Sequence, residues 1–142
     1  LQAKALRCQV KIVFLENYNM WFGNLITAGV DAWLNTPLRP IYASCSSVLK
    51  ATLIRLPYFS LFDCFLAEAC HDGKNGWAIG DADHANDAAD ADHLYSLLEN
   101  QVIPTFYDDQ SKWLSLIRES IKTGVQFTGT RMVQDYLEEY YQ

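Results

Sequence analysis

The segment Ala43-Ser44-Cys45-Ser46-Ser47-Val48-Leu49-Lys50 sets small hydroxyl residues just ahead of a lysine. Ser44, Ser46 and Ser47 are candidate helix N-caps. A helix start offers free backbone amides and the positive end of the helix dipole, which suits an anion such as a phosphate. A lysine in the first turns of that helix could reach a group held there, and a lysine amine kept from water is a nucleophile for a carbonyl carbon. Alone, the pattern is a weak signal, since a serine-rich helix start with one lysine is usually an ordinary capped helix.

The other reactive side chains are scattered. Cys8, Cys45, Cys64 and Cys70 form no C-x-x-C pair and sit among apolar residues, as free buried thiols of a reducing compartment do. His71 follows Cys70, but no second ligand pair lies at zinc spacing around His71, His84 or His93, so no metal is expected. The five aspartates between Asp81 and Asp92 read as a solvated loop entering a helix start, where acidic residues favour the dipole. A calcium loop of the EF-hand type would need a terminal glutamate that is absent. A net charge of -6 without a basic stripe argues against nucleic acid. No apolar run is long enough for a membrane span, so no membrane partner is expected, and a cytoplasmic location is the expectation. The chain opens on Leu1 and soon enters an apolar run, and is expected to be part of a longer polypeptide.

These residues need a scaffold. Val10–Leu15 is an apolar, β-branched run suited to a strand covered on both faces. Met20–Ala28 reads as a helix closed by Gly29, and Val30–Leu34 as a second strand before Pro37 and Pro40 impose an extended connection. The helix opened by the serines should run to about Leu56, where Pro57 stops it. Tyr58–Phe62 is a third strand, and Gly76–Ile79 a short strand or turn. The last third is helical, with apolar stripes at Leu94, Leu97 and Leu98, at Trp113, Leu116, Ile117 and Ile121, and at Met132, Val133, Tyr136, Leu137 and Tyr140, all expected to be core. Alternating strands and helices predict an α/β layered fold with a mostly parallel sheet. Ligands of such sheets bind at the carboxyl ends of the strands, here the turns after Leu15, Leu34 and Phe62.

The ordered strings VFLENYNM, GVDAWLNTPLRP, A-S-x-x-x-x-x-K, GWAIGD and LYSLLENQVIPTFYD closely resemble the C-terminal region of the α-glucan (glycogen, starch or maltodextrin) phosphorylases. There the middle segment runs GVD-WLNTP-RP-EASGTSGMK. The likeness extends from about Lys11 to Tyr140 and is nearer the bacterial and archaeal branch than the animal one. It implies a Rossmann-like portion of a two-domain, GT-B type glycosyltransferase, with a sheet and lysine region over residues 10–80 and C-terminal helices over 88–142. It implies phosphorolysis of an α-1,4-glucan by inorganic phosphate to α-glucose 1-phosphate. The cofactor would be pyridoxal 5'-phosphate, held as a Schiff base on Lys50, its phosphate sharing in proton transfer. An upstream domain of the same polypeptide and a homo-oligomeric copy are the macromolecular partners expected.

Position by position, Lys50 matches the cofactor lysine, and Ser44 the motif serine beside the glucose. Cys45 and Ser46 fall where a Gly-Thr pair presents amides to sugar and phosphate. Tyr18 matches a tyrosine near the cofactor phosphate, and Glu68 an acidic residue of the D-G-W-W-x-E stretch. Tyr42 stands where a glutamate binds the glucose hydroxyls, and a phenol lacks the two carboxylate acceptors. Cys45, Ser47 and Val48 depart from a glycine-rich pattern, and a β-branched residue replacing a positive-φ glycine would be strained. Ile54-Arg55-Leu56-Pro57 takes the place of an N-G-x-P turn. These departures raise the alternative of a catalytically impaired, carbohydrate-binding or regulatory relative. An unrelated Rossmann-like dinucleotide module is disfavoured because no G-x-G-x-x-G follows Val10–Leu15.

Overall fold

Parallel strands need helical connections and cover on both faces, and the chain provides both around a small sheet. The computed structural model describes residues 11–38, 46–62, 65–81 and 86–141. Helix α1 (Met20–Gly29) starts where the Asn19 side chain accepts the Phe22 N–H at 2.9 Å. It leads to β1 (Trp33–Asn35), α2 (Ser46–Leu53), β2 (Tyr58–Leu61), α3 (Phe65–Ala69) and β3 (Trp77–Ile79). The strands lie in the order β1-β2-β3, all parallel, with Trp33 opposite Tyr58 and Phe59 opposite Trp77.

Four helices complete the chain: α4 (Asp87–Leu97), α5 (Ile103–Asp108), α6 (Gln110–Gln126) and α7 (Gly129–Tyr140). Asn86 caps α4 by accepting the Ala88 and Ala89 N–H groups. A π-helical turn, Leu98–Val102, joins α4 to α5. Its cause is Pro104, which has no N–H to give the carbonyl four residues back. The ladder widens instead, and the Ile103 N–H bonds the Leu98 carbonyl.

Alternation along β2 divides the core. Tyr58 packs with Val48 of α2 and Leu66 of α3. Phe59, one residue on, joins Trp77, Ile79, Leu97, Val102, Trp113 and Leu116 on the other face. This second layer is aromatic at its centre. Trp77 and Trp113 have ring centroids 6.4 Å apart, and Phe106 meets Trp113 edge-on at 4.9 Å.

Helix α6 crosses the amino-terminal edge of the sheet. Ser120 Oγ donates to the Leu56 carbonyl at 3.0 Å, just before β2. Before β3, the buried Asn75 donates to Thr123 Oγ1 and the Ala69 carbonyl, both at 2.7 Å, and accepts the His71 N–H at 2.8 Å. Gly124 permits the close approach to α2, because a Cβ there would lie 2.9 Å from Thr52 Oγ1 and 3.1 Å from the Leu53 nitrogen.

The strands β1, β2 and β3 and the helices α1 and α2 fall within three residues of where the sequence placed them, and the last third is helical as expected, whereas α3 has no counterpart in the sequence reading. Two expectations fail. Lys11–Leu15 forms no strand, and Ile12, Val13, Phe14 and Leu15 are all exposed, Phe14 by 74%. An apolar run states a need for cover, and among the described residues nothing pairs with the outer edge of β1 to supply it. The stripe of α7 is also exposed rather than core: Met132, Val133, Tyr136, Leu137 and Tyr140 are each at least half accessible. Helical periodicity reports an amphipathic helix and not its partner. Among the described residues no helix is long and apolar enough to cross a membrane.

Candidate functional site

With α6 across the amino edge, the carboxyl edge of the sheet is left for a ligand. Helix α2 spans the two edges. Its C-terminal end is locked by a Schellman motif, in which the Leu56 N–H bonds the Ala51 carbonyl at 2.9 Å and the Arg55 N–H bonds the Thr52 carbonyl at 3.4 Å. Arg55 provides the left-handed residue that this motif requires, with φ of 76°.

Its N-terminal end reaches the carboxyl edge through side chains. Asn35, the last residue of β1, donates from Nδ2 to Ser60 Oγ at 3.0 Å, and Ser60 is fully buried. Asn35 Oδ1 accepts from Ser47 Oγ at 3.5 Å. Beside this chain a cavity of about 280 Å³ opens among Thr36 and Pro37 after β1, Leu61 of β2, Ile79 of β3, and Asp90 and Leu94 of α4. All three strands therefore deliver their carboxyl ends to one place. Of the turns in question, residues 63–64 after Phe62 lie outside the described residues, and Gly80 after Ile79 lines a separate opening with Phe62 and His93, whereas Thr36 and Pro37 after Leu34 do line the cavity as expected. The turn after Leu15 does not, because no strand precedes it.

Lys50 lies on the exposed side of α2, and its amine makes no hydrogen bond or ion pair with the described residues. Ser46, four positions earlier, is exposed on the same face. Val48, Ala51 and Thr52 face inward and are buried. Tyr18 is 65% exposed and folds back on α1, its hydroxyl filling the space above Gly23, where a Cβ would meet it at 2.6 Å. No hydrogen bond joins Tyr18 to Ser46 or Lys50 among the described residues. Tyr42, Ser44 and Cys45 lie outside the described residues, as do Cys8, Cys64 and His84. Glu68 is exposed and sits 3.7 Å from the Arg131 guanidinium. Among the described residues no cluster of ligating side chains could hold a metal ion.

Beneath α2, burial pushes the Tyr58 phenol far above its usual range, with the neighbouring Cys70 adding to the effect. Burial likewise pushes the Cys70 thiol up to about 11, with the Tyr58 hydrogen bond opposing and Asp72 reinforcing. Both are therefore neutral and inert near pH 7, so Cys70 is no nucleophile. Among the described residues the Tyr58 hydroxyl has no oxygen or nitrogen partner, and the buried Trp33 Nε1 has no hydrogen-bond partner.

A larger groove of about 460 Å³ lies between α2 and the α6–α7 junction, lined by Leu49, Glu68, Phe127, Arg131 and Tyr136 among others. Its cation is already engaged. Arg131 donates to Asp135 at 3.2 Å and to the Gln126 carbonyl at 2.7 Å, and stacks over the Phe127 ring. The groove offers an anion little that is free.

Relatives decide the ancestry. The maltodextrin phosphorylase of Thermococcus litoralis is 42% identical over 137 residues, which covers 92% of this chain and 16% of the relative. The glycogen phosphorylase of Aquifex aeolicus is 37% identical over 139 residues, covering 92% of this chain and 20% of the relative. This chain is homologous to a segment of the glycogen and maltodextrin phosphorylases. The glycogen phosphorylase of Mycobacterium tuberculosis agrees, at 37% identity over 142 residues and 92% of the chain, which is again 16% of the relative. The chain thus spans about a fifth or less of the length of the phosphorylases it matches. No family model matches it, and no solved structure does.

Two departures from the phosphorylase pattern can be read in the structure. Val48 is helical, not left-handed, and its side chain is fully buried against Tyr58 and Leu66, so it neither strains the backbone nor stands on the Lys50 face. Arg55 is the strained one, since it occupies the glycine position of the N-G-x-P turn with a positive φ. For a phosphorylated pyridine aldehyde, α2 offers a suitable donor set: the exposed amine of Lys50, with the Ser46 hydroxyl one turn away on the same face.

Proposed function

We propose that this chain is the C-terminal portion of an α-1,4-glucan phosphorylase, with a sheet and lysine region over residues 10–80 and C-terminal helices over 88–142. In this reading it forms the Rossmann-like part of a two-domain, GT-B type glycosyltransferase that releases α-glucose 1-phosphate from glycogen or maltodextrin with inorganic phosphate. What supports the reading most is the identity with phosphorylases over 92% of the chain. The single parallel sheet with an open carboxyl edge is in keeping with it.

Lys50 would anchor pyridoxal 5'-phosphate, and Ser46 and Cys45 would give amide and hydroxyl donors to its surroundings. When bound, the cofactor supplies a phosphate that exchanges a proton with the substrate phosphate. The residues of this chain hold and orient. Ser44 and Tyr42 would face the glucose, and Tyr18 the cofactor phosphate, which requires its hydroxyl to leave Gly23. Binding energy spent on fixing two phosphates against a sugar appears in the rate as lost translational entropy. The second wall of the cleft and its basic residues would come from an upstream domain, so the isolated chain is expected to be inactive.

The substitution of Tyr42 for a carboxylate supports a second reading, a relative that keeps the fold and glucan binding but has lost chemistry. One measurement separates the two. The intact polypeptide containing this chain is supplied with pyridoxal phosphate, maltodextrin and inorganic phosphate, and glucose 1-phosphate is assayed. Turnover with stoichiometric cofactor supports the first reading. Bound maltodextrin with neither cofactor nor product supports the second.

A further inference from the structure

The link between the sheet and the amino end of α2 is a chain of three polar side chains. Ser60 is fully buried, and its own hydroxyl donates to the Leu61 carbonyl at 3.2 Å. Its lone pair is then the acceptor for Asn35 Nδ2 at 3.0 Å. That bond fixes the orientation of the amide, leaving Oδ1 turned toward Ser47, whose hydroxyl donates to it at 3.5 Å. Ser47 is one residue after Ser46 and three before Lys50. A helix turns about 100° per residue, so a contact at Ser47, added to the burial of Val48 against Tyr58 and Leu66, sharpens the rotation of the whole first turn. The far end of α2 is held separately, by the Schellman motif and by Gly124.

We infer that Asn35 is a positioning residue: by holding Ser47 against the sheet it sets the rotation of α2, and with it the direction in which Ser46 and Lys50 face. This rests on the reading of Lys50 as the cofactor lysine. Asn35 itself need touch neither cofactor nor sugar. The Ser47 bond is long, so its contribution is directional more than energetic. The amide suits the task because it donates on one side and accepts on the other.

The test is site-selective labelling. The protein is incubated with limiting pyridoxal 5'-phosphate, reduced with borohydride and digested, and the label on Lys50 is compared with that on the exposed Lys74 and Lys112. The wild-type protein is expected to label first at Lys50. Asn35→Ala, and independently Ser47→Ala, should bring Lys50 down to the level of the other lysines while circular dichroism stays that of the folded chain. Asn35→Asp keeps the acceptor facing Ser47, and Ser60 can reverse its bond, so Lys50 preference should be restored. Ser120→Ala loses a buried hydrogen bond at the other edge of the sheet and should leave the preference unchanged. Undiminished Lys50 preference in folded Asn35→Ala or Ser47→Ala overturns the positioning role alone. A wild-type protein with no Lys50 preference overturns both this role and the cofactor reading beneath it.

Discussion

The two edges of the sheet are built in opposite ways. At the amino edge Asn75 is buried and spends its side chain on three protein partners, and Ser120 and Thr123 of α6 close over the strand starts. At the carboxyl edge Asn35 is only half-buried, makes one good and one long hydrogen bond, and stands beside an open cavity. The same residue type thus serves two purposes. A buried amide with every group paired costs much to remove. An amide at the mouth of a cavity can be nearly neutral for stability and still decide geometry. The fold is secured at the edge away from the site, which leaves the other edge free for a ligand.

The comparison breaks most sharply at Asn75. Asn75→Ala takes away the partner of the Ala69 carbonyl and of the His71 N–H and leaves the Thr123 hydroxyl only its bond to the Glu119 carbonyl, and is expected to cost about 3 kcal/mol. Asn35→Ala should cost no more than about 1 kcal/mol, because the Ser60 hydroxyl keeps its bond to the Leu61 carbonyl and Ser47 is only partly buried. Urea unfolding of both variants checks this. Equal losses would show that the carboxyl edge is structural too.

The next effect is one of pH and lies beneath α2. The Cys70 thiol titrates at about 11 in the fold against 9.0 for the free group, first because it is buried. The folded chain therefore holds this proton more tightly than the unfolded chain. Stability is full below about pH 9 and falls as the pH rises toward 11. Partial solvent access limits the loss to roughly 2 kcal/mol. The Tyr58 phenol is raised as well and steepens the fall at the alkaline end. Thermal midpoints measured from pH 7 to 11 should be flat and then decline, and Cys70→Ser should flatten the decline. A wild-type curve already falling between pH 7 and 8.5 would contradict it.

Much of the scaffold was legible in the sequence because it rests on local signals. Apolar runs marked the strands, the second closed ahead of Pro37 and the third opened after Pro57, and the serines before Lys50 marked α2. What was not legible depends on distant neighbours. Asn35 looks like any turn residue until Ser60, 25 positions away, is set against it. Ser120, Thr123 and Gly124 each follow Trp113, Leu116 and Ile117 by seven residues and so share the face of that stripe, and only the packed structure shows that they meet the amino edge of the sheet. The run at Val10–Leu15 and the stripe of α7 declare an appetite for burial without naming what should satisfy it. The π-turn had a signal, Pro104, whose consequence depends on the helices continuing on both sides. Of the residues expected in the site, Lys50 and Ser46 share one exposed face of α2, whereas Tyr18 turns to α1.

The smallest effect tests whether the two ends of α2 are independent. Arg55 sits at φ of 76° in the Schellman motif, where the Cβ of an L-residue crowds the following carbonyl. A glycine relieves that crowding but gains freedom in the unfolded chain, which offsets part of the benefit. The balance favours Arg55→Gly by about 0.5–1 kcal/mol. Arg55→Ala keeps the Cβ and should give no gain, which isolates the backbone as the cause. Denaturant midpoints of the two variants decide the point, and a gain from alanine equal to that from glycine would place the strain in the arginine side chain instead. If Arg55→Gly tightens the amino edge and the borohydride labelling of Lys50 does not change, the locked end of α2 contributes stability alone, and the direction of Lys50 is set at the Asn35 end.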